Sequence, residues 1–121
     1  MKPFAVYFEL PVSDLDRAQR FYESVFEIEL QRTEIDGHSM ALFPEVTESP
    51  GITGALVHGE SYTPSKQGAR VYFKTLSIEE QLRRVVDHGG IVLYPKKSVG
   101  DLGYVAEFED SEGNCIALHE S

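Results

Sequence analysis

Side chains capable of acid, base and anion chemistry concentrate in two strand-like segments of this sequence. Tyr7 and Glu9 are two residues apart in the first segment, and Arg70, Tyr72 and Lys74 have the same spacing in the second. Because successive side chains of a strand alternate between its two faces, each set lies on one face. A cavity bordered by both faces would contain a carboxylate, two phenols and two cations. Such a cavity could hold an oxyanion, or transfer protons without a metal, with Glu9 and Tyr7 as the catalytic candidates.

Arg70 has two interpretations at this level. As a ligand contact, its guanidinium would bind a carboxylate in a bidentate geometry that lysine cannot reproduce. As a structural residue, it or Lys74 would form an ion pair with Glu9. In the first case Arg70→Lys weakens ligand binding, and in the second it changes only stability.

The elements that must position these side chains form a repeated pattern. In the first half a strand over residues 4–12 precedes a helix over about 15–26, which Ser13 or Asp14 can cap and whose apolar residues recur at spacings of three and four. Three strands follow, with a hairpin turn at Asp36-Gly37. The second half repeats this order with a strand, a helix and three further strands, predicted over residues 69–75, 78–88, 91–94, 104–108 and 115–119.

This repeat predicts an α+β fold of two βαβββ modules, about 1–60 and 66–121, within a single domain over residues 1–121. The polar segment 59–68 joins modules rather than domains, because each half alone is too small to bury both faces of a sheet. One helix covers one face of each curved, mixed sheet and leaves the other uncovered. We expect the uncovered faces to surround a cavity for a small molecule.

Composition excludes several other functions. The formal net charge of -9 disfavours nucleic acid and anionic membrane surfaces as partners. Cys115 is the only cysteine, so neither an intrachain disulfide nor a cysteine-cluster metal site is expected. No segment has the length and apolarity of a signal peptide or a membrane span. We therefore expect a cytoplasmic protein.

Three segments resemble the vicinal oxygen chelate superfamily of glyoxalases, bleomycin resistance proteins and dioxygenases. The segment from Tyr7 to Ala18, with Phe21-Tyr22, is similar to that family's first strand and helix, "V-x-D-L-x-x-A-x-x-F-Y". Residues 88–92 resemble its "G-G-x-V" helix exit, and residues 108–119 resemble its last hairpin, "D-P-x-G-N-x-I-x-L". The resemblance covers essentially the whole chain, and its nearest subgroup is described only as glyoxalase-related, which assigns no reaction.

The resemblance also implies where a metal would bind. Metalloenzymes of this family take four ligands from the first and last strands of the two modules, and these positions correspond here to Tyr7, Leu56, Arg70 and Ala117. A neutral phenol is a poor ligand, and the other three side chains cannot donate to a metal. We therefore predict no metal and no other cofactor, and the glyoxalase I reaction is not implied.

Two histidines leave an alternative open. His58 and His119 lie two residues beyond Leu56 and Ala117 and share the faces of those residues. They could hold a relocated divalent metal or act as an acid–base pair. They could equally be ordinary solvent-exposed residues at strand ends.

The resulting hypothesis is a metal-independent protein that binds a small organic molecule, anionic if Arg70 contacts it. One alternative is a glyoxalase-related lyase, isomerase or dioxygenase-type enzyme that uses a relocated metal or metal-free acid–base residues. Another is a degenerate member kept for protein interaction. A homodimer is expected, because the small modules expose sheet edges and family members commonly complete their cavities across a two-fold axis. The predicted ligand contacts are Tyr7, Glu9, Leu56, Arg70, Tyr72, Lys74, Ala117 and His119.

Overall fold

The computed structural model describes residues 4–45 and 51–121. The first module comprises β1 (Tyr7–Pro11), α1 (Leu15–Phe26), β2 (Gln31–Ile35), β3 (His38–Leu42) and β4 (Thr53–His58). The second comprises β5 (Tyr72–Lys74), α2 (Ile78–Asp87), β6 (Ile91–Ser98), β7 (Tyr104–Glu109) and β8 (Cys115–Glu120). Two βαβββ modules of an α+β fold are therefore present, as the sequence repeat predicts.

Local signals in the sequence define both helices. The Asp14 side chain accepts a hydrogen bond from the backbone N–H of Arg17 at 3.0 Å, so Asp14, rather than Ser13, caps α1. Ser77 caps α2 in the same way through the N–H of Glu80. The predicted apolar stripe of α1 is buried, with Ala18 and Val25 fully shielded from solvent.

Three of the strands differ from the prediction by more than one residue. β1 is confined to Tyr7–Pro11, within the predicted residues 4–12. β5 spans only three residues, because only Tyr72–Lys74 have ladder partners on β8. β6 continues to Ser98, four residues beyond the predicted end, and its pairing with β7 contains two register shifts. Such irregularities accommodate polar and proline-containing segments that a period-two pattern does not mark as strand.

The strands form two four-stranded mixed sheets, which we call sheet A (order β1-β4-β3-β2) and sheet B (order β5-β8-β7-β6). The β1–β4 and β5–β8 pairs are parallel, and the remaining pairs are antiparallel. β1 and β5 are edge strands of their sheets. Within the described ranges, no helix is long and apolar enough to cross a membrane.

One core joins the two modules. The helix-facing sides of both sheets contribute to it, including Leu10 and Leu56 from sheet A and Phe108 and Leu118 from sheet B. Phe21 of α1 contacts Phe108 across the module boundary, with ring centroids 6.1 Å apart. The sheets are thus not closed around a single cavity. Their other sides, which we call outer face A and outer face B, point away from the shared core.

Candidate functional site

Outer face A carries a carboxylate held by two phenols. Tyr7 donates a hydrogen bond to one oxygen of Glu9 at 3.1 Å, and Tyr62 donates to the other at 2.7 Å. The surrounding surface is apolar and consists of Met40, Leu42, Ala55 and Val57. Burial of the Tyr7 phenol, together with its hydrogen bond to Glu9 and the charge of that carboxylate, raises the pKa of Tyr7 to about 12. Tyr7 is therefore a hydrogen-bond donor at neutral pH and a weak proton source.

The elements around this group explain its geometry. Strand alternation brings Tyr7 and Glu9 to the same side of β1, as the sequence predicts. Tyr62 comes from the connector between the modules, where its N–H donates to the Gly59 carbonyl at 3.1 Å. Sequence analysis missed Tyr62 because a connector residue has no periodicity that would assign it to a face.

An ion pair between Glu9 and Arg70 or Lys74, one of the two interpretations of the sequence, is absent from the described residues. Arg70 instead lies beside outer face B, with its Nε 3.5 Å from a carboxylate oxygen of Glu107 and 3.3 Å from Sγ of Cys115. Glu107 was missed as a site residue because an acidic residue on a strand is usually solvated. Its position directly opposite Ala117 in the β7–β8 ladder places it on outer face B.

The structure corrects the position of Leu56. Leu56 is fully buried in the core and pairs with Leu10, whereas Ala55 pairs with Glu9 and lies on outer face A. In the second module Ala117 pairs with Tyr72, the second residue after Arg70, just as Ala55 pairs with Glu9, the second residue after Tyr7. Ala55, and not Leu56, is therefore the counterpart of Ala117. The prediction was displaced by one residue, which exchanges the faces of a strand.

The two helix starts have the same spacing from Tyr7 and from Arg70. The helix caps Asp14 and Ser77 each lie seven residues after Tyr7 and Arg70, respectively. On the correspondence that the family resemblance implies, the metal-ligand positions would fall on Tyr7, Ala55, Arg70 and Ala117. Alanine and a permanently charged guanidinium have no donor for a divalent cation, so these residues do not fit a metal.

His58 and His119 do not occupy corresponding positions in the two modules. His119 pairs with Lys74 on outer face B, while its register counterpart in sheet A is Val57. His58 is exposed at the end of β4 and shares the side of Leu56. Among residues 4–45 and 51–121 there is no group of three or more His, Cys, Asp or Glu side chains arranged to hold a metal.

Outer face B contains a pocket of about 480 Å³. Lys74 and His119 contribute its charged and titratable groups, and no ion pair of Lys74 is present in the described part of the chain. The remaining wall is aromatic or aliphatic and consists of Tyr72, Val99, Leu102 and Val105. An apolar wall with few polar groups is the usual composition of a small-molecule site. Of the predicted contacts, Tyr72, Lys74 and His119 are brought together here, while Tyr7 and Glu9 lie on outer face A.

The turn between β7 and β8, which carries part of the family-like motif, has a structural role. The carboxylate of Glu112 accepts hydrogen bonds from the backbone N–H groups of Ser13 and Asp14 and from the guanidinium of Arg17. Burial by itself raises the pKa of Glu112, but these hydrogen bonds outweigh it and lower the pKa. The turn therefore clamps the beginning of α1 from the other module.

Asp110 and Asn114 extend this clamp inward. The Tyr22 hydroxyl donates to Asp110 at 2.6 Å, and the Asn114 amide donates to the Pro11 carbonyl at 2.8 Å. Burial raises the pKa of Asp110, although its hydrogen bonds from Tyr22 and Asn114 oppose the shift. The motif therefore has a structural role, because it links the β7–β8 turn to β1 and α1.

Comparison with known proteins agrees with this architecture. Residues 5–118 match the model of the Glyoxalase/Bleomycin resistance protein/Dioxygenase superfamily, and the chain belongs to that family. Comparison with curated proteins gave no match.

Solved structures share the fold at low sequence identity. An antibiotic binding protein from Streptomyces sp. CB03234 is 24% identical, with a TM-score of 0.73 and coverage of 99% of this chain and 98% of that one. The trypanothione-dependent glyoxalase I of Leishmania major is 18% identical, with a TM-score of 0.73 over 98% of this chain and 87% of that one. Glyoxalase I from Zea mays is 18% identical, with a TM-score of 0.70 over 94% of this chain. This chain spans only 44% of the maize enzyme's length.

Proposed function

We propose that this chain binds a small organic acid without a metal, in the pocket of outer face B. The observation that carries the proposal is the donor set: Ala55, Arg70 and Ala117 occupy three of the family's four ligand positions and cannot coordinate a divalent cation. Outer face B contains a pocket whose apolar wall includes one lysine and one histidine. Lys74 would attract the ligand's carboxylate, and Tyr72 and Leu102 would contact its apolar part.

The antibiotic binding protein from Streptomyces supports a binding role, because it shares the fold over nearly its entire length. A protein with this fold can therefore function by binding a small molecule. The pKa of Tyr7, raised to about 12, makes that phenol a weaker acid than an ordinary tyrosine.

We further propose that a second copy of the chain covers the pocket, giving a homodimer. Tyr72 is 54% exposed and Leu102 is 73% exposed on outer face B, and β1 and β5 offer edges with no strand partner within the described residues. Pairing of edges and covering of apolar surface both favour association. Light scattering at micromolar concentration should give about twice the chain mass of 13.6 kDa, and a species of 13.6 kDa alone would refute the dimer.

A thermal-shift experiment tests the binding proposal. Benzoate, phenylacetate and short-chain carboxylic acids should raise the melting temperature, since a ligand of the native state stabilises it by about 2.7 kcal/mol at a hundredfold excess over Kd. Zinc, nickel, manganese and ferrous salts should not raise it. Elemental analysis of protein purified without chelator should find no stoichiometric metal, and metal held at Tyr7, Ala55, Arg70 and Ala117 would overturn the proposal.

Two matched variants locate the site. Lys74→Met should weaken acid binding by about tenfold, because it removes a charge-assisted hydrogen bond of roughly 1.4 kcal/mol. Lys66→Met should leave binding unchanged, because Lys66 lies outside this pocket and pairs with Glu109 at 3.3 Å. Equal effects of the two variants would indicate general electrostatic attraction rather than a site.

A further inference from the structure

A second cavity lies on the helix-facing side of the sheets, where the two modules meet. Its volume is about 470 Å³, within the range typical of small-molecule sites. Its deep wall consists of phenylalanine rings from both modules, namely Phe8, Phe26, Phe43 and Phe73. None of these four residues lines the pocket of outer face B.

The four rings form one packed group. Ring centroids are 5.7 Å apart for Phe8 and Phe73, 5.6 Å for Phe43 and Phe73, and 5.0 Å for Phe26 and Phe73. The Phe8 and Phe73 planes are nearly perpendicular, at 82°. Phe8, Phe26 and Phe73 are only partly buried although they pack on the main core. Another planar ring could enter this group edge to face, which is a preferred arrangement of aromatic pairs.

The charged groups of α2 at the mouth of the cavity neutralise each other. Lys74 also borders the cavity, but alternation along β5 directs its side chain to outer face B, opposite to Phe73. Glu80 pairs with Arg84 at 3.7 Å and also with Arg83. The Arg84 Nε donates to the Val25 carbonyl at 2.8 Å. The buried Gln81 side chain is likewise satisfied, by Thr75 and by the Val25 carbonyl. A ligand entering here meets an apolar interior and no unpaired acid, and it needs no charge of its own.

From these observations we infer that the cavity between the modules is a second ligand site, specific for uncharged planar aromatic molecules of two or three fused rings. Phe8 and Phe43 from sheet A and Phe73 from sheet B would contact such a ligand together. The site differs from the pocket of outer face B in both position and ligand chemistry. It does not depend on the proposed binding of organic acids.

The experiment uses 2-naphthol as the neutral probe and 2-naphthoate as its charged analogue. The chain contains no tryptophan, so naphthol fluorescence can be followed with little protein background. We expect saturable one-to-one binding of 2-naphthol and an affinity for 2-naphthoate at this cavity that is lower by about tenfold, because an ion would be desolvated without a partner. Absence of saturable 2-naphthol binding would overturn the inference.

A matched pair of variants assigns the probe to one cavity. Ile52 lines the mouth of the aromatic cavity and is 43% exposed, while Val99 lines the pocket of outer face B and is 40% exposed. Ile52→Glu should weaken 2-naphthol binding by about tenfold, because it places a charge on an apolar contact surface. Val99→Glu should leave 2-naphthol binding unchanged while weakening acid binding. The opposite pattern, or equal effects of both variants on 2-naphthol, would refute the site.

A filling variant provides a control for the charge introduced by Ile52→Glu. Ile28→Trp adds an indole inside the same cavity and should abolish 2-naphthol binding without adding charge. Binding to this variant is measured by calorimetry, because the introduced tryptophan is itself fluorescent. Circular dichroism and the melting temperature verify that each variant is folded. Retention of full 2-naphthol affinity by a folded Ile28→Trp variant would also refute the site, whatever the outcome for organic acids.

Discussion

At the scale of single residues, the group formed by Tyr7, Glu9 and Tyr62 illustrates how one charge determines the state of its neighbours. Both Glu9 oxygens accept phenolic hydrogen bonds, and the described residues contain no cation paired with this carboxylate. The two phenols therefore stabilise the Glu9 carboxylate, in place of the ion pair with Arg70 or Lys74 that the sequence allowed. Burial raises the pKa of Tyr7 most, and Glu9 raises it further, because deprotonating Tyr7 would place a second negative charge beside the first.

Replacing Glu9 tests this relation. Glu9→Gln should lower the pKa of Tyr7 from about 12 toward its ordinary value, leaving only the part of the shift that burial causes. Carbon-13 NMR of labelled tyrosine, with the resonance assigned through Tyr7→Phe, measures the pKa directly. Tyr62→Phe serves as the control, because it keeps the Tyr7–Glu9 contact. An unchanged Tyr7 pKa in Glu9→Gln would show that burial alone causes the shift.

At the scale of elements, the contact between the β7–β8 turn and the beginning of α1 connects two segments that are far apart in sequence. The Glu112 side chain is fully shielded from solvent in this contact, and its carboxylate lies 2.7 Å from Arg17 Nε. A carboxylate near a helix N-terminus interacts favourably with the unpaired N–H groups there. This contact orients α1, and α1 carries the rings that join the modules.

Glu112→Gln should lower the free energy of unfolding by about 1–3 kcal/mol at neutral pH, because charge-assisted hydrogen bonds and the ion pair are lost from a buried position. Urea unfolding measures the change. Glu34→Gln, on an exposed strand position, is the matched control and should change stability by less than about 0.5 kcal/mol. A stability loss equal to that of the control would contradict a clamping role.

The difference in unfolding free energy between wild type and Glu112→Gln should depend on pH. The folded-state pKa of Glu112 lies below its unfolded value, so its stabilising contribution is complete above about pH 4.3 and is lost as the pH falls through the folded-state pKa. The stability difference between wild type and Glu112→Gln should therefore shrink on acidification below that value. A difference that stays constant into strong acid would contradict the assigned pKa shift.

At the scale of the whole molecule, the shared core makes the two modules one cooperative unit. Phe21 is 3% exposed and contacts residues of both modules, including Tyr22 in its own helix and Phe108 on β7. Neither module could lose this contact without exposing apolar surface of the other. Two-state unfolding of the pair is the expected consequence.

Phe21→Ala should destabilise the protein by about 3–5 kcal/mol, through lost burial and the cavity left behind. Native-state hydrogen exchange should show equal losses of protection in β4 and β8, although Phe21 belongs to the first module. Phe4→Ala, at a position that is 94% exposed, should have almost no effect. Loss of protection confined to the first module would show that the modules unfold separately.

The sequence by itself determined the features that depend on local propensity and on periodicity. The repeat of elements and the Asp36-Gly37 turn are of this kind, and the turn residues indeed have φ values of 54° and 77°. The sequence left the cap of α1 open between Ser13 and Asp14, and the folded structure uses Asp14. Alternation along β1 correctly placed Tyr7 and Glu9 on one face.

Only the tertiary structure decided the features that depend on contacts between distant segments. The register of β4 against β1 places Ala55, and not Leu56, on outer face A. A shift of one residue does not change the local sequence pattern, so the sequence could not reveal it. Tyr62 and Glu107 reach the outer faces through the path of the connector and through pairing with β8. The packing of both helix-facing sides into one core brought the four phenylalanine rings together and left the outer faces apart. Module packing of this kind results from the total apolar area buried, which no single segment of the sequence specifies.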